Sequence, residues 1–596
     1  MPILTAVKPR PANQIAVAQF SLILQWPLVL DANEVGNGGF LSHSDAIRHE
    51  LQCTAKSLAN NGWVPVDGLD MLNTEPAANL SDEERDGLSK KQTTQGYQEY
   101  VYFHDFLQRI LYPKAEDKNV GVSIWSNSEY SRLAVNLPVE NSLPDCLCFN
   151  IRRRTIHLYD FGCAMFTLEL EHDGTHLTLD RVQRALDYMR RSYAPFYNGP
   201  NAGRSPIDVI LDRKKDWGPI HYRLKNRDLF LRTWQAAPDG ERKFCDAPVY
   251  AHWQDLIAPL KLRHDHGPWR DPSDERIPIN SYIRLLDLVP KTEQAVLSCI
   301  HESDWIRIAD AEEPGAQINP AMEYPYNSES ARNKFAATFY DRFLPDCASD
   351  VTASRHIITS RHYSVVGVGD FAEYLLHDHF RRHYTQMSLI ARLEQTALLA
   401  VSSRLTAVVH RFNTGFASNH SVTRSKARSE FEANVLDIQD QFLSFLHRFR
   451  FTGVTSQVQG EEMFAMWRNA LGLDVLFKEV SDELDAAISS VRARQQGREV
   501  VHSRELSILA AVAAVVAIFI GWLGANPFVG ADKILGAQSE TFSIVLAFGL
   551  SSILLGVPLF FMLDWRGSLK RPVQVLVGTG AIALFVVVLM FIENRF

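Results

Sequence analysis

Beyond residue 505 the chain contains three runs with no charged residue, 506–523, 541–563 and 573–592, of 18, 23 and 20 residues. At ~1.5 Å rise per helical residue, each run makes a helix long enough to span roughly the ~30 Å hydrocarbon layer of a bilayer. Helices buried in a soluble protein seldom run this far without a charge, so the sequence predicts three membrane-spanning helices. The whole-chain composition, 46% hydrophobic and 22% charged, is that of an average globular protein and conceals two solvents. Arg492, Arg494, Arg498 and Arg504 precede the first run, and Arg566, Lys570 and Arg571 lie between the second and third. Basic flanks of this kind are expected on the cytoplasmic side, which keeps residues 1–505 in the cytoplasm and turns 524–540 outward. Seven cysteines, an odd number without a CxxC pair, fit a reducing compartment. The early apolar stretch at 14–30 carries three glutamines and Pro27 and has no A-x-A site, so it reads as a buried strand or two and not as a secretory signal.

Within the first run, Ala510, Ala514, Ala517, Gly521 and Gly524 recur at steps of four and three and share one helical face. Such a strip lets helices approach closely, and around a symmetry axis it lines a pore that gates by dewetting. Both readings require an oligomer.

The first 380 residues alternate strand-like and helix-like patterns. Residues 155–171 read as a hairpin turning at Asp160-Phe161-Gly162, followed by a helix with Leu179, Val182, Leu186 and Met189 on one side. The fold class expected is an α+β cytosolic domain over 1–380, a helical stalk over 381–505 and a C-terminal α-helical membrane region over 506–596. In the stalk, residues 379–412 read as one helix. Phe431, Val435, Ile438, Phe442, Phe445 and Phe449 mark a second, and a third runs from near Glu461 through Trp467 into the first apolar run, interrupted only by Gly497.

That last arrangement, "AMWRNALGLDVLFKEVSDELDAAISSVRARQQ" feeding an apolar helix that ends in "GWLGAN", resembles the CorA-type cation transporters and channels. In that family a stalk helix enters the pore span and ends in Gly-Met-Asn; Gly524, Ala525 and Asn526 stand in those places, with alanine for methionine. The resemblance implies a selectivity filter at Gly524, Ala525 and Asn526 and a pore lined by Ala510, Ala514, Ala517 and Gly521. It further implies a homo-oligomer, a pentamer by analogy, in a bacterial inner membrane, conducting Mg²⁺ or another cation. Asp532 and Glu540 supply negative charge at the outer mouth, and a third span is present where the family has two. An uncharged Asn ring suits a hydrated divalent ion, because Mg²⁺ gives up its water reluctantly. The cytosolic body is larger than transport alone requires, which suggests a regulated effector of the kind known among antiviral systems with nucleotide-type signals.

Two further features of the body bear on ligands. Residues 211–234 interleave Arg213, Lys214, Lys215, Arg223, Lys225 and Arg227 with Trp217 and other aromatic residues, a candidate patch for a small nucleotide or oligonucleotide set against the reading of a solvated edge diluted by Asp212, Asp216 and Asp228. The net charge of −8 argues against general double-stranded DNA binding. His379 and His383 have i, i+4 spacing that could share a transition metal, with no cysteine or HExxH to reinforce it. No nucleophile motif, Walker loop or dinucleotide fingerprint is visible, so no enzyme activity and no resident cofactor are expected. Two other classes remain open: a membrane-anchored sensor or scaffold whose spans only pack, and a housekeeping divalent-cation transporter.

Overall fold

A computed structural model describes residues 10–524 with internal gaps, the longest being 32–42, 70–99, 194–204, 316–328 and 342–352. The chain divides into two compact units, Met1–Ala487 and Ile488–Phe596. The first is an α+β body built on one large mixed sheet.

The strand Ala16–Leu30 lies at the centre of that sheet, where the sequence suggested a buried strand. It pairs antiparallel with Cys163–His172 on one side and Ile279–Leu285 on the other. Beyond Cys163–His172 the sheet continues through Asp145–Tyr159, Tyr130–Leu137, Asp208–Arg213 and Ile220–Arg223. Beyond Ile279–Leu285 it continues through His362–Gly367, the one parallel neighbour on this path, then Ser354–Ile358 and Phe339–Asp341. The hairpin at 155–171 is as expected: Gly162 carries φ +80°, a left-handed turn conformation that glycine adopts without penalty.

Side chains alternate across a strand, and the two faces of this sheet bury different chemistry. On one face the even-numbered residues of the central strand, Phe20 to Leu30, form a dry core with Phe166, Leu168 and Leu170. The helices Leu179–Tyr188, Ala251–Ile257 and Glu302–Asp310 supply Val182, Leu186, Trp253, Leu256 and Ile308 to it. On the other face Ser21 and Gln25 are fully buried, and Gln25 donates to the Thr385 carbonyl at 3.1 Å while accepting from Ser388 Oγ at 2.6 Å. Burying such groups is tolerable only when they are bonded, and here the partners come from the helical layer.

That layer starts with two π-helical turns, Ala372–Leu376 and Phe380–Tyr384, and continues as the helix Thr385–Phe416. Thr385–Phe416 lies against the sheet, where Gln25 and Asn280 bond to it, within the first compact unit. The helix Ser421–Phe449 buries all six of the residues that mark it in the sequence. The expected third helix is two, Val458–Ala470 and Leu473–Gly524, separated at Gly472, whose φ of +63° ends the first. Among the described residues, no helix is long and apolar enough to cross a membrane.

Candidate functional site

The helix Leu473–Gly524 has its backbone described to Gly524, but its side chains only in part beyond Gln496. Val480 and Leu484 near its start are buried, whereas Leu506 and Leu509, at the head of the uncharged run, are 66% and 64% exposed, and Ala510 is exposed beside them. Ala514, Ala517, Gly521 and Gly524 are helical in backbone. Ala525, Asn526, Asp532 and Glu540, with the runs 541–563 and 573–592, lie outside the described residues.

Of the basic and aromatic patch, Arg213, Lys214 and Arg223 are described; Lys215, Trp217, Lys225 and Arg227 lie outside. Arg213 ends the strand Asp208–Arg213, with Nε 3.2 Å from Glu129 and its guanidinium 5.9 Å from the centre of the Tyr130 ring. Arg223 is exposed at the end of Ile220–Arg223. Lys214 instead borders a pocket of about 140 Å³ whose other cations are Arg152, Arg153 and Arg154.

The pocket is a gap in the sheet. On one side of Asp145–Tyr159, residues 155–159 pair with the strand Val122–Ser126, and residues 145–150 pair with Tyr130–Leu137. Residues 151–154 fall between these two ladders, opposite the turn at 126–128, where the Asn127 N–H donates to the Arg154 carbonyl at 3.1 Å. On the other side of the same strand the register shifts between Ile151 and Arg153, so Arg152 is an extra, bulged residue. Three successive arginines thus border one gap, with the side chains of Arg153 and Arg154 extending to opposite faces of the sheet.

Each arginine is held differently. Arg154, 2% exposed, lies between the rings of Trp63 (4.5 Å) and Tyr130 (4.9 Å) and donates to neutral oxygens: Leu256 O at 2.8 Å, Asn127 Oδ1 at 3.0 Å and Asp255 O at 3.2 Å. Burial pushes its pKa down to about 10. Arg152 donates to Glu171 at 2.5 Å near the surface. Arg153 is buried, with Nε 3.1 Å from Glu169 and a donation to the Arg381 carbonyl at 3.3 Å. Thr155, 1% exposed, borders the gap, and its hydroxyl has no hydrogen-bond partner among the described residues.

Glu169 carries the network inward. It is 1% exposed and accepts from Arg381 on the second π-helical turn as well as facing Arg153. Burial alone would raise its carboxyl pKa; Arg381 and Arg153 outweigh burial and hold it below the ordinary range. His377, between the two π-helical turns, sits 2.9 Å from Ser21 Oγ and 3.0 Å from Gln19 Nε2, and burial first, then Arg381, lowers its pKa to about 4. A path of contacts therefore runs from the gap through Arg153 and Glu169 to the turn that opens the helix Thr385–Phe416.

The rings of His379 and His383 lie 4.5 Å apart, and His383 stacks on Tyr102 at 4.2 Å. Among the described residues, no group of three or more His, Cys, Asp or Glu side chains is placed to hold a metal, so the pair lacks the further ligands a structural zinc site needs. A wider cleft of about 680 Å³ lies between Phe106 and Phe451, whose rings stack at 5.4 Å, and is bordered by Arg109, Arg448 and Arg450. Two of these cations are already paired, Arg448 with Asp160 at 2.6 Å and Arg450 with Glu394 at 3.3 Å. Sequence reading missed the 151–155 segment, although its run of three arginines inside a strand was the available signal. Compared with protein-family models and with curated proteins, the chain matches none.

Proposed function

We propose that this chain is an oligomeric, cation-conducting membrane protein of CorA-like type, in which the α+β body senses a ligand in the cytoplasm and passes the signal to the helical layer. The observation that carries the reading is the 52-residue helix Leu473–Gly524. It is charged along its first part, uncharged from 506 to 523, and described as far as Gly524, after which the sequence continues with Ala525 and Asn526. The uncharged part, 506–523, is 18 residues, about 27 Å at ~1.5 Å per residue and close to the ~30 Å hydrocarbon layer, with most of its side chains outside the described residues. The exposed leucines at 506 and 509 mark where an aqueous surface ought to be polar and is not. In this reading Asn526 binds the hydrated ion, Ala514 and its neighbours line the passage, and the subunits form a ring, a pentamer by analogy. The bacterial inner membrane, the absence of enzymatic chemistry and an antiviral effector role belong to the same proposal.

Reconstitution into liposomes tests it. Purified protein should pass Mg²⁺ or another cation, and Ala514→Leu should lower flux at least tenfold while the oligomer, sized by light scattering in detergent, persists. Loss of the oligomer in Ala514→Leu would favour a scaffold whose spans only pack, and absence of flux from the native protein under every ligand condition would remove the channel reading.

A further inference from the structure

We propose that the gap between the two strand ladders binds a tetrahedral oxyanion of the phosphate class, either free phosphate or the terminal phosphoryl group of a larger molecule left outside. This deepens the sensing role assigned to the body, but the binding does not depend on whether the protein conducts ions.

Size sets the first limit. A volume of about 140 Å³ holds roughly five waters at ~30 Å³ each. That accommodates one phosphoryl group and is well below the ~300–1,000 Å³ of pockets that enclose whole small molecules. Charge sets the second. Arg152, Arg153, Arg154 and Lys214 all border the gap, and no carboxylate does among its lining residues. Glu169 and Glu171 hold Arg153 and Arg152 from outside that lining. A metal cation finds no hard anionic ligand there, and an apolar group would strand the donors.

Donor chemistry sets the third limit. Guanidinium groups match tetrahedral oxyanions through paired N–H donors, and an ammonium adds a point charge. Arg154 spends its donors on neutral oxygens while keeping its charge in a buried place, so an anion beside it is favoured. Lys214 stands exposed at the rim. Thr155 also borders the gap, and its buried hydroxyl, without a hydrogen-bond partner among the described residues, costs free energy unless something accepts from it. Bound oxyanion also competes with Glu169 for Arg153, which connects occupancy of the gap to Arg381 and the turn Phe380–Tyr384.

Equilibrium dialysis of the full-length protein in detergent, at constant ionic strength in chloride, with labelled inorganic phosphate and separately with adenosine monophosphate, tests the proposal. One phosphate or one nucleotide should bind per chain. Lys214→Glu and Thr155→Val should each weaken binding at least tenfold with the thermal unfolding curve preserved, since Lys214 is exposed and valine keeps the shape of threonine. Arg448→Ala, in the wider cleft, should leave affinity unchanged. Binding of phosphate assigns the free ion, and binding of the nucleotide alone assigns a terminal phosphoryl group. Failure of both probes to bind, or native affinity in Lys214→Glu and Thr155→Val, overturns the site whatever the flux assay shows. Binding without flux overturns the channel and leaves the site standing.

Discussion

Replacing Glu169 by glutamine is the most informative single change in the body. Glu169 is buried between Arg153, 3.1 Å away, and Arg381. Glutamine keeps the volume and one acceptor oxygen but removes the carboxylate charge that faces both guanidiniums, leaving Arg153 buried, and Arg381 partly so, against a neutral amide. Breaking a buried ion pair by removing one partner costs about 3–5 kcal/mol, and the retained acceptor places the expected loss near 3 kcal/mol. Urea unfolding of the full-length protein in mild detergent, followed by tryptophan fluorescence, reads this as a lower midpoint at unchanged slope. The pH dependence has a definite sign. Arg381 and Arg153 outweigh burial and depress the folded pKa of Glu169, so its stabilisation is fully present above the unfolded value of ~4.3 and is lost as pH falls through the folded value. The gap between native and Glu169→Gln proteins should therefore be constant above about pH 5 and narrow below it. Replacing all three residues with apolar ones of similar volume should recover much of the loss. A loss under about 1 kcal/mol for Glu169→Gln would refute the account, because it would mean the two arginines do not depend on this carboxylate.

Two further outcomes follow from the same interior. Burial lowers the pKa of His157 and His377 to about 4 and of His252 and His362 to about 3. Because these folded values lie below the unfolded ~6.5, stability is retained above that pH and falls as the solution is acidified from about 6.5 toward 4, by up to ~1.4 kcal/mol per pH unit for each histidine; a flat urea midpoint over that range would contradict the burial of these rings. At Gly472, φ is +63° and an added Cβ meets nothing within 4 Å, so Gly472→Ala should cost only the left-handed backbone penalty of roughly 1–2 kcal/mol, and Gly472→Asn less, by the same unfolding assay.

What could be read from sequence was what local pattern determines. The hairpin around Gly162, the central strand over 16–30 and the helix from Leu179 each rest on alternation or periodicity within a short window. The break at Gly472 also had a local signal, a glycine closing an amphipathic helix, but the apolar spacing from Trp467 to Leu484 continues across it and hides the interruption. The polar interlayer had no such signal. Ser21 meets His377 across 356 positions, and Gln25 meets Ser388 across 363, so nothing near either residue tells that its hydrogen bonds will be made inside the protein. The basic stretch after 211 supplies Lys214 to the proposed pocket, while Arg213 is occupied by Glu129. The three arginines that complete the pocket come from some sixty positions earlier, brought there by a bulge and by two strands that leave the same partner at different points.

The contrast between the sheet's faces bears on why such an interlayer would be kept. The dry face already supplies a continuous apolar core, and buried ion pairs seldom add stability over well-packed apolar residues of the same volume. Arg153, Glu169 and Arg381 are therefore a poor choice if the only task is to hold the helix Thr385–Phe416 on the sheet. They suit a different task. Apolar packing is indifferent to a small anion, whereas a guanidinium shared between a buried carboxylate and an open gap has two competing partners, and a change of partner at Arg153 alters the charge balance that Arg381 experiences on a π-helical turn. Single π-helical turns inside longer helices are frequently found at functional sites. In the proposed sensor, the stability forgone on the wet face is the differential interaction energy by which a ligand can bias the helical layer, since a ligand shifts an equilibrium only by as much as it distinguishes the two states.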